Sequence, residues 1–227
     1  MKYYLSFGAG VNSTAILALI YLGKLKYDDL KIVFADTGCE KPATYCHINN
    51  MQKLFNIDVV KSNLGNMYDY CFDKKVVPLR MFRWCTDKFK IRPINKWVKD
   101  NNLDDATKII GFCAGEENRL KYNENEEYPL FDMGIDKNGC KKIISEVGWS
   151  MPPKSGCYIC PFQKKMEWIA MMKNDKELWN KSIALEENTK NNMNITGKPL
   201  KDWLKKEEYQ ERLFEFDDFQ HCLCRSD

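Results

Sequence analysis

No run of apolar residues in this chain of 227 is long or unbroken enough to span a bilayer, which excludes a membrane-spanning helix, and no membrane partner is expected. Nor does a basic, apolar, small-residue leader precede the first apolar segment, so the expectation is a cytoplasmic protein. An excess of one charge is also missing. The 35 Lys and Arg against 32 Asp and Glu leave a formal +3, too little for a protein that coats nucleic acid. No internal repeat is visible. One large domain, or one domain with an appendage, remains, with enough chain to bury most of its unfolded surface. Cysteine, by contrast, is plentiful. Ten thiols in a chain without an export signal point to metal or redox chemistry rather than disulfides.

What is present begins with Ser6-Phe7-Gly8-Ala9-Gly10-Val11-Asn12-Ser13-Thr14, set between the apolar run Tyr3-Tyr4-Leu5 and a helical pattern from Ala15 to Ile20. A strand feeding a short Gly-containing loop into a helix exposes the unpaired N–H groups of the first turn, and the helix dipole adds positive character there. Such a turn holds an anion. A Walker-type loop would need a lysine before the Ser or Thr, and Asn12 stands there instead. The dinucleotide fingerprint is met at two of three positions by Gly8, Gly10 and Ser13, with Asp36 at a distance suited to a ribose. Ser6, Gly8, Gly10, Ser13 and Thr14 fit best the Ser-Gly-Gly-x-x-Ser type loop of the PP-loop, or adenine nucleotide alpha-hydrolase-like, superfamily, which this segment resembles. A Gly-rich turn that binds nothing is the bland alternative.

The order of elements reads as βαβαβ, a long connection, then further β and α segments. Strands are expected at 3–6, 31–35, 57–60 and 107–112. Helices are expected at 13–22 with Gly23 as stop, from Pro42 to near Phe55, and over 88–101 with Pro93 in the first turn. Alternating short apolar strands and helices imply an α/β fold with a mainly parallel sheet covered on both faces. Ligands of such sheets bind beyond the carboxyl ends of the strands, where Asp36-Thr37-Gly38 and the segment from Gly111 to Arg119 fall. Asp36 suits a ribose or a metal ion, or is an ordinary strand-end turn. Glu116 and Arg119 would follow a tight loop into the site.

Several further motifs occur in one order: Phe34-Ala35-Asp36-Thr37-Gly38, Arg83-Trp84-Cys85-Thr86 with Lys90-Ile91-x-Pro93-Ile94, Gly111 to Arg119, and Pro153-x-Ser155-x-Cys157-x-x-Cys160-Pro161-Phe162. From residue 3 to about residue 168 the chain resembles phosphoadenosine phosphosulfate reductase-like proteins. The resemblance implies the PP-loop variant of the doubly wound, five-stranded sheet, with a helical C-terminal appendage. It places the phosphates of an adenine nucleotide on Ser6, Gly8, Gly10, Asn12, Ser13 and Thr14, and the adenosine near Asp36, Thr37 and Gly38. Arg83, Lys90, Glu116 and Arg119 become the catalytic candidates. Two departures stand out: Ala9 replaces a second consecutive glycine, and the end His221-Cys222-Leu223-Cys224-Arg225 does not reproduce the Glu-Cys-Gly element of authentic reductases.

The implied activity is therefore ATP cleavage between the α and β phosphates to adenylate a substrate, in sulfur transfer, with Mg²⁺ assisting pyrophosphate departure. An authentic adenylyl sulfate or phosphoadenylyl sulfate reductase using Cys222 or Cys224 is one rival. A noncatalytic nucleotide-binding subunit of a sulfur-transfer or DNA-modification complex is the other. Cys157-x-x-Cys160 is the metal signal, since two thiolates from one turn reach one ion. Matching places in the resembling sequences make Cys85 and Cys140 its expected partners, with Cys222 and Cys224 in reserve, for a [4Fe–4S] cluster or, alternatively, structural Zn²⁺. Cys39, Cys46, Cys71 and Cys113 read as small apolar residues. The basic segment from Arg80 to Lys99 permits a nucleic-acid acceptor beside a small molecule, and a sulfur donor protein is a further possible partner. The expected division is 1–150 for the nucleotide-binding part and 151–227 for the Cys-x-x-Cys segment and helical extension.

Overall fold

A computed structural model describes residues 1–120 and 123–203. Five strands, β1 (Lys2–Ser6), β2 (Asp29–Asp36), β3 (Ile57–Lys61), β4 (Thr107–Ile109) and β5 (Glu126–Glu127), form a sheet in the order β3-β2-β1-β4-β5. Every pairing is parallel. The chain winds outward from β1 to β3, then returns to the other side of β1 for β4. The order therefore reverses between β1 and β4, where doubly wound sheets open a crevice for ligands.

Alternation along β2 sorts its side chains. Ile32 and Phe34 enter one core with Leu5, Phe7, Ile16, Leu17 and Leu19, while Val33 joins Trp97, Leu103 and Ala106 on the opposite face. The first core is closed by α1 (Val11–Tyr21), α2 (Pro42–Gln52) and α7 (Lys137–Glu146), the second by α5 (Arg92–Asp100). Each fully buried Leu or Ile of α1 contributes about 1.5–3 kcal/mol. That burial holds the loop preceding α1 at the sheet edge.

Between β3 and β4 run α3 (Met67–Lys74), the single turn α4 (Trp84–Thr86) and a π-helical turn, Asp87–Ile91, leading into α5. The helix thus starts four residues before the expected Lys88. Pro93 cannot donate to the carbonyl four residues back and its ring crowds that carbonyl, so the widened turn ahead of it accommodates the ring. The short α6 (Pro129–Asp132) precedes α7, whose N-cap Asp136 accepts from the Gly139 N–H at 2.7 Å. Cys140 consequently lies inside this helix. After α7 come α8 (Lys165–Asn174), α9 (Lys176–Glu187) and α10 (Leu200–Trp203). Trp168, Ile169, Met171, Ile183 and Leu185 of α8 and α9 pack with Met67, Cys71, Phe89 and the Cys157 to Ile159 segment as a second large core.

Candidate functional site

At the β1/β4 reversal a cleft of about 1130 Å³ opens over Ser6, Gly8, Gly10, Val11, Asn12 and Ser13. Gly10 is the N-cap of α1 and has no side chain to offer the turn; the first helical bond runs from Thr14 N to Gly10 O at 3.0 Å. The amides of residues 11–13 therefore face the cleft without a cap, as an anion site requires. Ala9 is held at φ 53°, the left-handed region where glycine is at ease, and its methyl is fully buried. This is the position where the sequence departs from a glycine pair.

Asn12 ties the two sheet-edge loops together. Its Nδ2 donates to Gly111 O at 2.9 Å and to Glu116 Oε2 at 2.8 Å. Glu116 also accepts from the Cys113 N–H at 3.2 Å and is joined by Arg119. Burial alone would raise the Glu116 carboxyl, but the Cys113 amide and Arg119 hold it below its usual range. Gly111 permits the close approach: a Cβ there would lie 3.2 Å from Ser13 N. Thr14 points away from the cleft and shares a hydrogen bond of 2.9 Å with the buried His47 of α2. Burial pushes that imidazole down to about 4.

Arg119, Lys41, Lys137, Lys141 and Lys154 supply positive charge around the cleft. Lys41, at the N-cap of α2, was not singled out from sequence, where it reads merely as the residue before a Pro-opened helix. Burial pushes its ammonium below the ordinary range; Glu167 opposes this and Lys154 adds to it. Lys154 in turn pairs with Glu167 at 2.6 Å. The roof comes from the Met151 to Ser155 segment, and a Cβ on Gly10 would lie 2.9 Å from Ser155 Oγ.

The turn after β2 is occupied differently. Asp36 Oδ1 accepts from Gly38 N at 2.8 Å and from Tyr45 OH at 2.7 Å, and its Oδ2 lies 3.5 Å from Lys61. Thr37 is buried and donates to Glu40 Oε1 at 3.2 Å, with Cys157 Sγ 3.3 Å away. Gly38 faces a neighbouring cleft of about 820 Å³, which shares Pro42 and Cys46 with the first. Lys90 pairs with the buried Glu40 at 3.4 Å. Burial disfavours its charge, but Glu40 outweighs this and raises the ammonium above its ordinary value. Arg83 lies elsewhere. It is exposed, with its guanidinium 5.6 Å from the Phe162 ring centre, and lines neither cleft.

The thiols divide into two groups. Cys85, Cys157 and Cys160 share the second large core with Cys39 and Cys71. Cys140 lies in the other core with Cys113, against α1. It faces inward on α7, and burial pushes it up to about 12. The expected set Cys85, Cys140, Cys157 and Cys160 is thus not brought together. Burial also raises the Cys157 and Cys160 thiols above their ordinary range. Among the described residues no group of three or more His, Cys, Asp or Glu side chains is placed to hold a metal ion. The described residues alone do not make up a four-thiolate centre. Cys222 and Cys224 lie outside the described residues.

Residues 2–143 match the model of the phosphoadenosine phosphosulfate reductase domain. The chain belongs to this family. Curated relatives are 24% identical over 197 residues and 25% identical over 192 residues, respectively "Uncharacterized protein MJ0066" and "Uncharacterized protein MJ0973" of Methanocaldococcus jannaschii. Each match covers 78% of this chain but only 39% and 46% of those relatives, so the chain spans less than half their length. The "Uncharacterized nin region protein ORF290" of Escherichia phage lambda is 28% identical over 143 residues, 51% of this chain and 49% of that protein. Among solved structures, phosphoadenylyl-sulfate reductase from Candida auris in a phosphate complex superposes with a TM-score of 0.51 at 14% identity, over 67% of this chain and 75% of that one. At that identity the likeness concerns the fold. The uncapped turn after β1 lies within the matched residues. No helix among the described residues is long and apolar enough to cross a membrane.

Proposed function

We propose that the protein binds ATP with its pyrophosphate end on the Gly8 to Ser13 turn and transfers the adenylyl group to an acceptor oxygen. That oxygen would attack the α phosphorus and lose its proton to solvent. The bond from the α phosphorus to the bridging oxygen would break, and pyrophosphate would leave with the electron pair. The observation that carries this reading is the uncapped start of α1 opening into a cleft ringed by Lys41, Lys137, Lys141, Lys154 and Arg119. Backbone donors and fixed cations aimed at a leaving pyrophosphate are the main source of stabilisation for such a transfer. Mg²⁺ would enter with the nucleotide as its counter-ion. A subsequent sulfur nucleophile, brought by a donor protein, would displace the adenylate. The cysteines of the second core take no step in this scheme.

The test is incubation with ATP labelled at the α phosphate and analysis of the products. AMP, or an adenylated acceptor, together with pyrophosphate supports the proposal; ADP alone, or unchanged ATP, sinks it. The reductase reading has a separate readout, sulfite released from phosphoadenylyl sulfate in the presence of a thiol donor. Tight ATP binding without turnover would favour a noncatalytic role.

A further inference from the structure

The segment linking α3 to α4 leaves large apolar side chains in solvent: Met81 is 88% exposed and Phe82 70%, and Phe162, beside the Cys-x-x-Cys turn, is 52% exposed. The guanidinium groups of Arg80 and Arg83 lie 5.7 and 5.6 Å from the Phe162 ring centre. Arg80 Nε also donates to Pro161 O at 2.6 Å, which fixes this arginine beside the ring. Among the described residues neither arginine has a carboxylate partner. Between Arg80 and Lys99 the sequence holds seven basic residues and one acidic, Asp87, and that carboxylate is taken by Arg92 at 2.7 Å. Exposed apolar surface rimmed by polar groups marks interaction sites, and a guanidinium over an aromatic face is a pairing that ligands exploit.

We propose that Arg80, Arg83 and Phe162, with the exposed Phe82 of the same segment, dock a single-stranded nucleic acid, bases stacking on the rings and phosphates meeting the guanidiniums. Exposed rings with flanking arginines suit a strand whose bases are free to stack, and the chemistry is indifferent to sequence. This platform lines neither cleft but is continuous in sequence with the roof of the nucleotide cleft. Phe162 lies seven residues along the chain from Ser155, which ends the segment roofing that cleft. That the strand is also the adenylation acceptor rests on the function proposed above; docking does not.

The experiment is fluorescence anisotropy of labelled oligothymidylate and oligouridylate with the full chain, without ATP, across a salt series. Binding that weakens with salt is expected, and the two oligomers distinguish DNA from RNA. Phe82→Ala and Phe162→Ala should each weaken it about tenfold, Phe162→Tyr should restore it, and Arg80→Gln should lower the slope of log affinity against log salt by about one. No binding at low salt overturns the proposal, as does an affinity that all these variants leave unchanged. A duplex bound equally well with no dependence on the rings also overturns it, and so does loss of self-association rather than of oligomer binding. ATP cleavage by Phe82→Ala in the absence of acceptor should match the parent chain, so a failed docking result and a failed adenylation result remain separable.

Discussion

His47 is the residue whose protonation the fold resists most plainly. It is 3% exposed, bonded to Thr14 of α1, and held at about 4 by burial, below the ordinary 6.5. The stability that depends on its neutral ring is complete above pH 6.5 and is lost as pH falls from there toward 4, amounting to about 3 kcal/mol. Melting curves should therefore fall steeply over this range for the parent chain and less for His47→Gln. Asn12 offers a sharper test of the nucleotide cleft. Asn12→Asp would set a carboxylate where the amide now donates to Glu116 at 2.8 Å, converting a hydrogen bond into like-charge repulsion beside the anion turn. ATP affinity, by calorimetry, should drop at least tenfold. Asn12→Ala should lose less, because it removes the tie without adding charge.

At the scale of elements, the strand–loop–helix unit from β1 to β3 was legible because apolar alternation and the Gly8 and Gly10 loop leave few other structures open. Its strands and helices fall within a few residues of expectation. The π-helical turn was not legible, since it results from Pro93 meeting a helix that starts earlier than its apolar pattern suggests. Nor was β5, two glutamates whose strand character comes only from pairing with Lys108 and Ile109. The role of Gly111 was equally hidden, because the neighbour that demands it is almost a hundred residues away in sequence. Gly111→Ala would press a methyl to 3.2 Å from Ser13 N. The expected cost is about 1–3 kcal/mol in a denaturant titration, with weaker ATP binding because the loop must shift.

For the whole molecule, the sheet order and its reversal beside β1 explain why residues as distant as Asn12, Lys41, Arg119 and Lys154 surround one cleft. The same topology separates the thiols, a result that motif order did not foretell for Cys140. Cys-x-x-Cys spacing is local, whereas the side of the sheet on which a helical cysteine lands depends on the winding of the chain. Cys140→Ala should consequently leave the metal content of anaerobically purified protein, whatever its value, equal to that of the parent chain. A drop measured by elemental analysis would refute the separation of the two groups. The closeness of Ser155 to Gly10, where a Cβ would meet its hydroxyl at 2.9 Å, carries a last implication. The strap over the anion turn runs straight on to Cys157 and Cys160, so a bound triphosphate and the sulfur pair tug on one length of backbone. Alkylation of the half-buried Cys160 should slow when ATP is added, making a maleimide time course a gauge of cleft occupancy.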